Sequence, residues 1–166
     1  TRPSGEPSKI GKICGSRKIR GRTIPAIPAA KPGCGIRNPV QVTEVEGVRL
    51  STAATMNCDA AKALRQWVDK GVKKTVRRKG GGVAELRVAG HYSCRTRNHQ
   101  PGAKISEHGK GNAIDISAIV LKDGTVITVL QGWNDRKQGK LLKKMHKRAC
   151  GPFGTVLGPD SDRFHK

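Results

Sequence analysis

Residues 113–130, "AIDISAIVLKDGTVITVL", decide how this chain is read. β-branched and other apolar residues run on either side of Asp123-Gly124, and Asp-Gly between two such runs marks a tight antiparallel hairpin. Within the first run, Asp115 stands between Ile114 and Ile116. If those isoleucines face the core, side-chain alternation turns Asp115 toward the open side of the sheet. Just upstream lies "SEHGKGN", residues 106–112, whose Gly109, Gly111 and Asn112 permit a sharp turn. On one continuous strand His108 and Asp115 would point to opposite faces; across such a turn they can converge. An imidazole and a carboxylate side by side form either a simple hydrogen bond or two-thirds of a catalytic zinc site. A third ligand, usually His, would complete that site and leave the fourth position to water. Glu107, the immediate neighbour of His108, would point away from the pair in an extended segment, which discounts it as a general base.

Working outward, "MNCDAAKALRQWVDKGVKKTVRRK" (56–79) reads as a helix. Asn57 or Asp59 can cap its start, and Ala60, Leu64, Trp67, Val68 and Val72 make an apolar stripe at helical spacing. Lys73, Lys74, Arg77, Arg78 and Lys79 crowd its far end, where cations suit the helix dipole and would also grip a polyanion. "GGG" at 80–82 breaks this helix. "VQVTEVEGVRL" (40–50) and "VAELRVAGHYSCRTR" (83–97) have strand character, the second carrying Leu86, Val88 and Tyr92 among polar residues. "GKLLKKMHKRAC" (139–150) is a second amphipathic helix with Leu141, Leu142, Met145 and Ala149 toward the core, and "GTVLG" (154–158) is a short strand. The expected fold is α+β, a small antiparallel sheet flanked by helices. Residues 1–33 read as a separate basic, Pro/Gly-rich arm: six of the nine prolines fall within residues 1–40, where no aromatic residue occurs. "IPAIPAAKPGCG" (24–35) should be extended and irregular.

Thirty-three Lys and Arg against twelve Asp and Glu give +21, a field that attracts any polyanion: nucleic acid, acidic lipid or an anionic wall polymer. Aromatic residues make up 3% of the chain, leaving little for base stacking, and no nucleic-acid-binding motif is visible, so nucleic acid is the disfavoured partner. No stretch of about 20 apolar residues exists to form a transmembrane helix. Cys14, Cys34, Cys58, Cys94 and Cys150 stand singly, without C-x-x-C or zinc-finger spacing, as in a disulfide framework formed in an oxidising compartment. The pairs expected are Cys14 with Cys34, stapling the arm, and Cys58 with Cys94, tying the helix start to the neighbouring strand. Beginning at Thr1 rather than Met, the chain reads as a mature or trimmed form of a periplasmic or secreted protein. His91 and His99 flank the strand at Tyr92–Arg95 and could border a cleft, whereas His146, on a helix amid lysines, should be exposed.

"SEHGKGNAID" also fits S-x-H-x-x-G-x-A-x-D through Ser106, His108, Gly111, Ala113 and Asp115. This motif resembles that of the metallopeptidase superfamily of lysostaphin, D-Ala-D-Ala peptidases and sonic hedgehog. From "CGIRNPV" onward, "YSCRTRN", "SEHGKGNAIDIS", "GW" and "ACGPFGTVLGPDSDRFH" resemble the extensin-like C-terminal domain family of bacterial secreted proteins. The resemblance implies a hedgehog/D-Ala-D-Ala-peptidase-like domain over residues 34–166. It makes His108 and Asp115 the first two ligands of a Zn2+ ion. It gives Arg95 the task of binding a substrate carboxylate or a developing oxyanion, which a guanidinium fork suits. Ser106 would shape the ligand loop or reach the substrate by hydrogen bond. Relatives continue past the histidine matching His165 as H-x-D-H-x-H-x-D, so the third ligand and the catalytic base are expected beyond Lys166, with a further cysteine as a partner for Cys150.

Three functions follow as expectations. The first is a zinc-dependent peptidase cutting peptide cross-links of peptidoglycan. The second is an inactive module that keeps the fold and binds peptidoglycan or another anionic cell-wall polymer. The third, a nucleic-acid-binding protein, rests on charge alone.

Overall fold

The computed structural model describes residues 9–94 and 107–153. Seven strands lie in one sheet in chain order: β1 (Gly11–Ile13), β2 (Ser16–Thr23), β3 (Val40–Val45), β4 (Val48–Met56), β5 (Val83–Gly90), β6 (Asp115–Leu121) and β7 (Val126–Thr128). All neighbours are antiparallel except β4 and β5, which run parallel and pair Arg49 with Glu85 and Leu50 with Leu86. The fold is therefore α+β, as expected, but the sheet is larger than expected. It takes in residues 11–23 of the segment read as an arm, and "IPAIPAAKPGCG" alone stays irregular, apart from one bridge between Ile27 and Ile36.

Three turns set the register. Cys14-Gly15 and Glu46-Gly47 each place two residues at positive φ, the mirror-image turn that matches strand twist. Glu46 is held there by its surroundings: its N–H donates to the Lys18 carbonyl at 2.8 Å, and its buried carboxylate accepts from Arg65 at 2.6 Å. The Asp123-Gly124 hairpin forms as the sequence indicates, with Gly124 at φ 90° and Asp123 Oδ1 accepting the Thr125 N–H at 2.9 Å. Strand alternation buries Val40 and Val42 of β3 and leaves Gln41 and Thr43 half-exposed, and a register shift between Val42 and Glu44 turns Val45 inward as well.

Asn57, not Asp59, caps α1 (Cys58–Trp67), its Oδ1 accepting the Ala60 N–H at 2.8 Å. The helix passes through a wider π turn at Val68–Val72 into α2 (Lys73–Val76). All five residues of the expected stripe are buried. The short α3 (Val129–Gly132) leads to α4 (Arg136–Ala149), capped by Asp135, whose Oδ2 accepts the N–H groups of Lys137 and Gln138. α4 packs on the first helix: the Trp67 indole donates to the Met145 carbonyl at 2.8 Å and Arg148 to Thr75 Oγ1 at 2.9 Å. Met56, Leu64, Leu86, Ile119 and Met145 are wholly buried between helices and sheet, each contributing about 1.5–3 kcal/mol. His146, expected at the surface, is half-buried and meets Trp133 edge-on at 5.6 Å, because the helix turn that seats Met145 also brings its ring under the indole.

The disulfides join Cys14 to Cys58 and Cys34 to Cys94, which corrects the pairing read from sequence. The β1–β2 turn brings Cys14 to the start of α1, and the irregular segment after β2 carries Cys34 to the end of β5. Cys150 is an exposed free thiol. Among the described residues no helix is long and apolar enough to cross a membrane. The strand expected at 154–158 lies outside the described residues.

Candidate functional site

β5 ends at Gly90 directly opposite Asp115, the first residue of β6. A cleft of about 370 Å³ opens there, lined by Ala89, Gly90, His91, Tyr92, Ser93, His108 and Asp115. His108 sits on a short 3-10 turn, Glu107–Lys110, and is buried, whereas the Asp115 side chain is half-exposed in the cleft. Their side chains do converge: His108 Nε2 lies 3.3 Å from Asp115 Oδ1.

The other imidazole nitrogen fixes the chemistry of this contact. His108 Nδ1 is 2.8 Å from the His91 carbonyl oxygen. A carbonyl only accepts, so Nδ1 carries the proton and donates. Nε2 then faces the carboxylate oxygen with its lone pair, and two lone pairs at 3.3 Å require positive charge between them, from a proton on Nε2 or a metal ion. Two ligand atoms at about 2.0–2.1 Å from a tetrahedral zinc stand about 3.3 Å apart, so the two donors fit such an ion. The histidine N–H to a backbone carbonyl is also the usual support of a metal-bound imidazole. Among the described residues, no group of three or more His, Cys, Asp or Glu could hold a metal ion. Arg95, Ser106, His99 and His165 lie outside the described residues.

Local sequence explains why the pair meets. Gly111 takes φ 73°, and a Cβ there would fall 2.5 Å from Ile36 Cδ1, so the turn needs glycine on both counts. Gly90 makes room for the carboxylate: a Cβ on it would sit 2.8 Å from Asp115 Oδ2. The loop is then tied down from three sides. Gly35 N–H donates to the Gly109 carbonyl at 2.9 Å, Asn57 N–H to the Gly111 carbonyl at 2.9 Å, and Ser93 N–H to the His108 carbonyl at 3.2 Å. Asn57 Nδ2 donates to Asn112 Oδ1, and Asn112 Nδ2 donates to Glu107 Oε2 at 2.7 Å. Glu107 is thereby held within the loop, on a 3-10 turn and not in the extended segment expected from sequence. His91 lines the cleft as anticipated, and its Nδ1 accepts the Thr55 N–H at 3.2 Å. Burial, and secondarily the nearby His108, lower the His91 pKa and favour its neutral form.

The sequence pattern described as the extensin-like protein C-terminus matches residues 13–166. The chain belongs to this family. No curated protein and no solved structure matches it. The extensin-like match begins at the last residue of β1, so it includes strands that composition alone had assigned to an arm. The sequence marks Asn112 as a turn residue of this extensin-like site, but gives no sign that Asn57, Gly90 and the His91 carbonyl support it. Asn57 was visible as a helix cap, but its second hydrogen-bonding arm reaches a loop 55 residues on. No local signal announces that.

Proposed function

We propose that this extensin-like domain is a zinc-dependent peptidase acting on peptide cross-links of bacterial peptidoglycan, in the periplasm or outside the cell, on a hedgehog/D-Ala-D-Ala-peptidase type of architecture. The observation that carries this reading is the approach of His108 Nε2 to Asp115 Oδ1 at 3.3 Å, with Nδ1 already committed to the His91 carbonyl. His108 and Asp115 would hold the ion. Bound zinc supplies Lewis-acid polarisation of a carbonyl and a water acidified toward neutrality. The chain's own groups do the rest. The His91 carbonyl keeps the His108 proton on Nδ1, Gly90 leaves space for the Asp115 carboxylate, and Tyr92 and Ser93 form wall against which a peptide would lie. Arg95 would take a substrate carboxylate or the oxyanion, and Ser106 would shape the ligand loop or hydrogen-bond the substrate. Two disulfides suit an oxidising compartment, and a net charge of +21 suits an anionic wall.

Metal analysis of the purified full-length protein tests the reading, with about one zinc per chain expected and none in His108→Ala. Incubation with purified sacculi should convert cross-linked dimers to monomers. Protein that takes up no zinc, or that leaves cross-links intact once loaded with zinc, refutes it. A second reading, a wall-binding module without hydrolysis, is favoured by the two donors, rather than three, that the described residues bring together. Sedimentation with sacculi without any released product would select it.

A further inference from the structure

The densest charge in the molecule lies away from the cleft. Lys70–Lys79 carries six Lys and Arg and α4 carries seven, and neither contains an Asp or Glu. The two segments pack together, Arg148 reaching Thr75 and Trp67 reaching Met145, so the last turns of α4 set their cations beside Lys70–Lys79. Lys70, Lys74, Arg77, Arg78 and Lys79 are exposed, as are Lys143, Lys144, Lys147 and Arg148. Only Lys73 approaches a carboxylate, Glu46 at 4.0 Å, among the described ion pairs. The carboxylates nearest in position are Asp69, just before Lys70, Asp135, which caps the start of α4, and Asp123, whose backbone N–H donates to the Gly80 carbonyl at the hairpin tip. The helical run from Cys58 at the cleft end to Val76 spans roughly 28 Å, and β5 spans about 25 Å between the same two ends.

Arg77 adds a second, independent observation. It takes φ 54° and ψ −119°, a region open to glycine and costly for any other residue. Its Nε donates to the Lys74 carbonyl at 3.3 Å, which ties the guanidinium to the preceding turn of the cationic segment. A backbone position suited to glycine is thus occupied by a cation whose fork matches phosphate.

We propose that Lys70–Lys79 and α4 form an anchoring surface for a linear polymer, other than nucleic acid, bearing a phosphate at each repeat, separate from the cleft. This deepens the envelope reading above and rests on it only for the compartment. Phosphate is favoured by the Arg77-Arg78 pair and by cations repeating every three or four residues along α4, about 4.5–6 Å apart. Neither segment contains a Phe, Tyr or Trp on which a base could stack. A lipid surface would find no apolar wedge on either segment, the exposed large apolar residues among those described being Ile10 and Leu130.

The test uses inorganic polyphosphate as the probe, with polyglutamate, duplex DNA and anionic vesicles as competitors. Lys74→Gln/Arg78→Gln/Lys144→Gln/Lys147→Gln should weaken polyphosphate binding at least tenfold. It should also flatten the plot of log affinity against log salt by about 3 units of slope. The charge-matched set Lys12→Gln/Arg17→Gln/Lys18→Gln/Arg20→Gln, on exposed positions of β1 and β2, should change affinity less than twofold. Arg77→Gly should leave or raise the melting temperature while lowering affinity two- to fivefold. Equal losses from both quadruple sets overturn the proposal, as does tighter binding of any competitor. Unchanged affinity in Arg77→Gly with reduced thermal stability overturns the role given to Arg77. Digestion of soluble cross-linked peptides by the first quadruple variant reports on the cleft alone, so failure of the anchor and failure of the peptidase reading are separable.

Discussion

At the cleft end, function depends on placement. His108, His91, Asn57, Asn112 and Glu107 are linked by hydrogen bonds, and Gly90 and Gly111 are present because a Cβ would collide. At the opposite end, Lys and Arg side chains stand exposed with few partners, and charge density matters more than any one position. The difference sets how each end fails. A single methyl group at Gly90 should disturb the first, whereas the second should fade gradually as charges are removed, in proportion to phosphates no longer neutralised.

The largest effect that would sharpen this contrast comes from the disulfides. Cys34→Ser/Cys94→Ser opens a loop of sequence separation 60 and should cost about 2–5 kcal/mol in denaturant unfolding. Cys14→Ser/Cys58→Ser, separation 44, should cost a similar amount. The first should also weaken zinc binding more than the second, because Gly35 holds the His108 loop and Cys94 follows the cleft-lining residues, whereas Cys58 reaches that loop through its neighbour Asn57 alone. Greater loss of metal from Cys14→Ser/Cys58→Ser would break the argument. Next, Gly90→Ala should displace the Asp115 carboxylate and weaken zinc binding about tenfold or more, about 1.4 kcal/mol; unaltered titration by zinc would show that the carboxylate is not a ligand. Asn57→Ala removes a helix cap and should lower stability by about 1 kcal/mol. Asn57→Asp retains the cap but loses the donor to Asn112, so stability should recover while metal affinity stays low; recovery of both would show the tether to be dispensable.

The smallest effect belongs to the cationic end. Hydrogen bonds from the Thr125 side chain and backbone N–H hold the Asp123 carboxyl below the usual carboxylate range. A group with a lowered folded-state pKa adds stability above its ordinary value, near 3.9, and loses it as pH falls through the lowered value. Asp123→Asn should therefore reduce stability slightly at neutral pH and shrink the loss seen on acidification below about pH 4. Parallel acid-unfolding curves for the two proteins would contradict this.

Much of this was legible in local patterns. Asp123-Gly124 between β-branched runs specifies its hairpin, the stripe from Ala60 to Val72 specifies a buried helix face, and the glycines after His108 permit its convergence with Asp115. What escaped depends on partners distant in sequence. Cys14-Gly15 is a poor turn signal by composition, because only Gly15 favours positive φ by residue type, while Cys14, bonded to Cys58, does not. That hidden turn concealed β1 and β2 and led the pairing of cysteines astray. The parallel contact of β4 with β5 likewise arises only after the intervening helix has crossed over the sheet. At the site, alternation could turn Asp115 outward, but it could not reveal that Gly90, 25 residues earlier, faces its carboxylate.

The seating of α4 has a practical consequence. The chain holds two tryptophans; Trp67 bonds the Met145 carbonyl and Trp133 stacks edge-on against His146, so both indoles report on the same helix. Emission excited at wavelengths that select indole will follow whether that helix is docked and stay dark to events around His108, giving a built-in optical gauge for one end of the protein only.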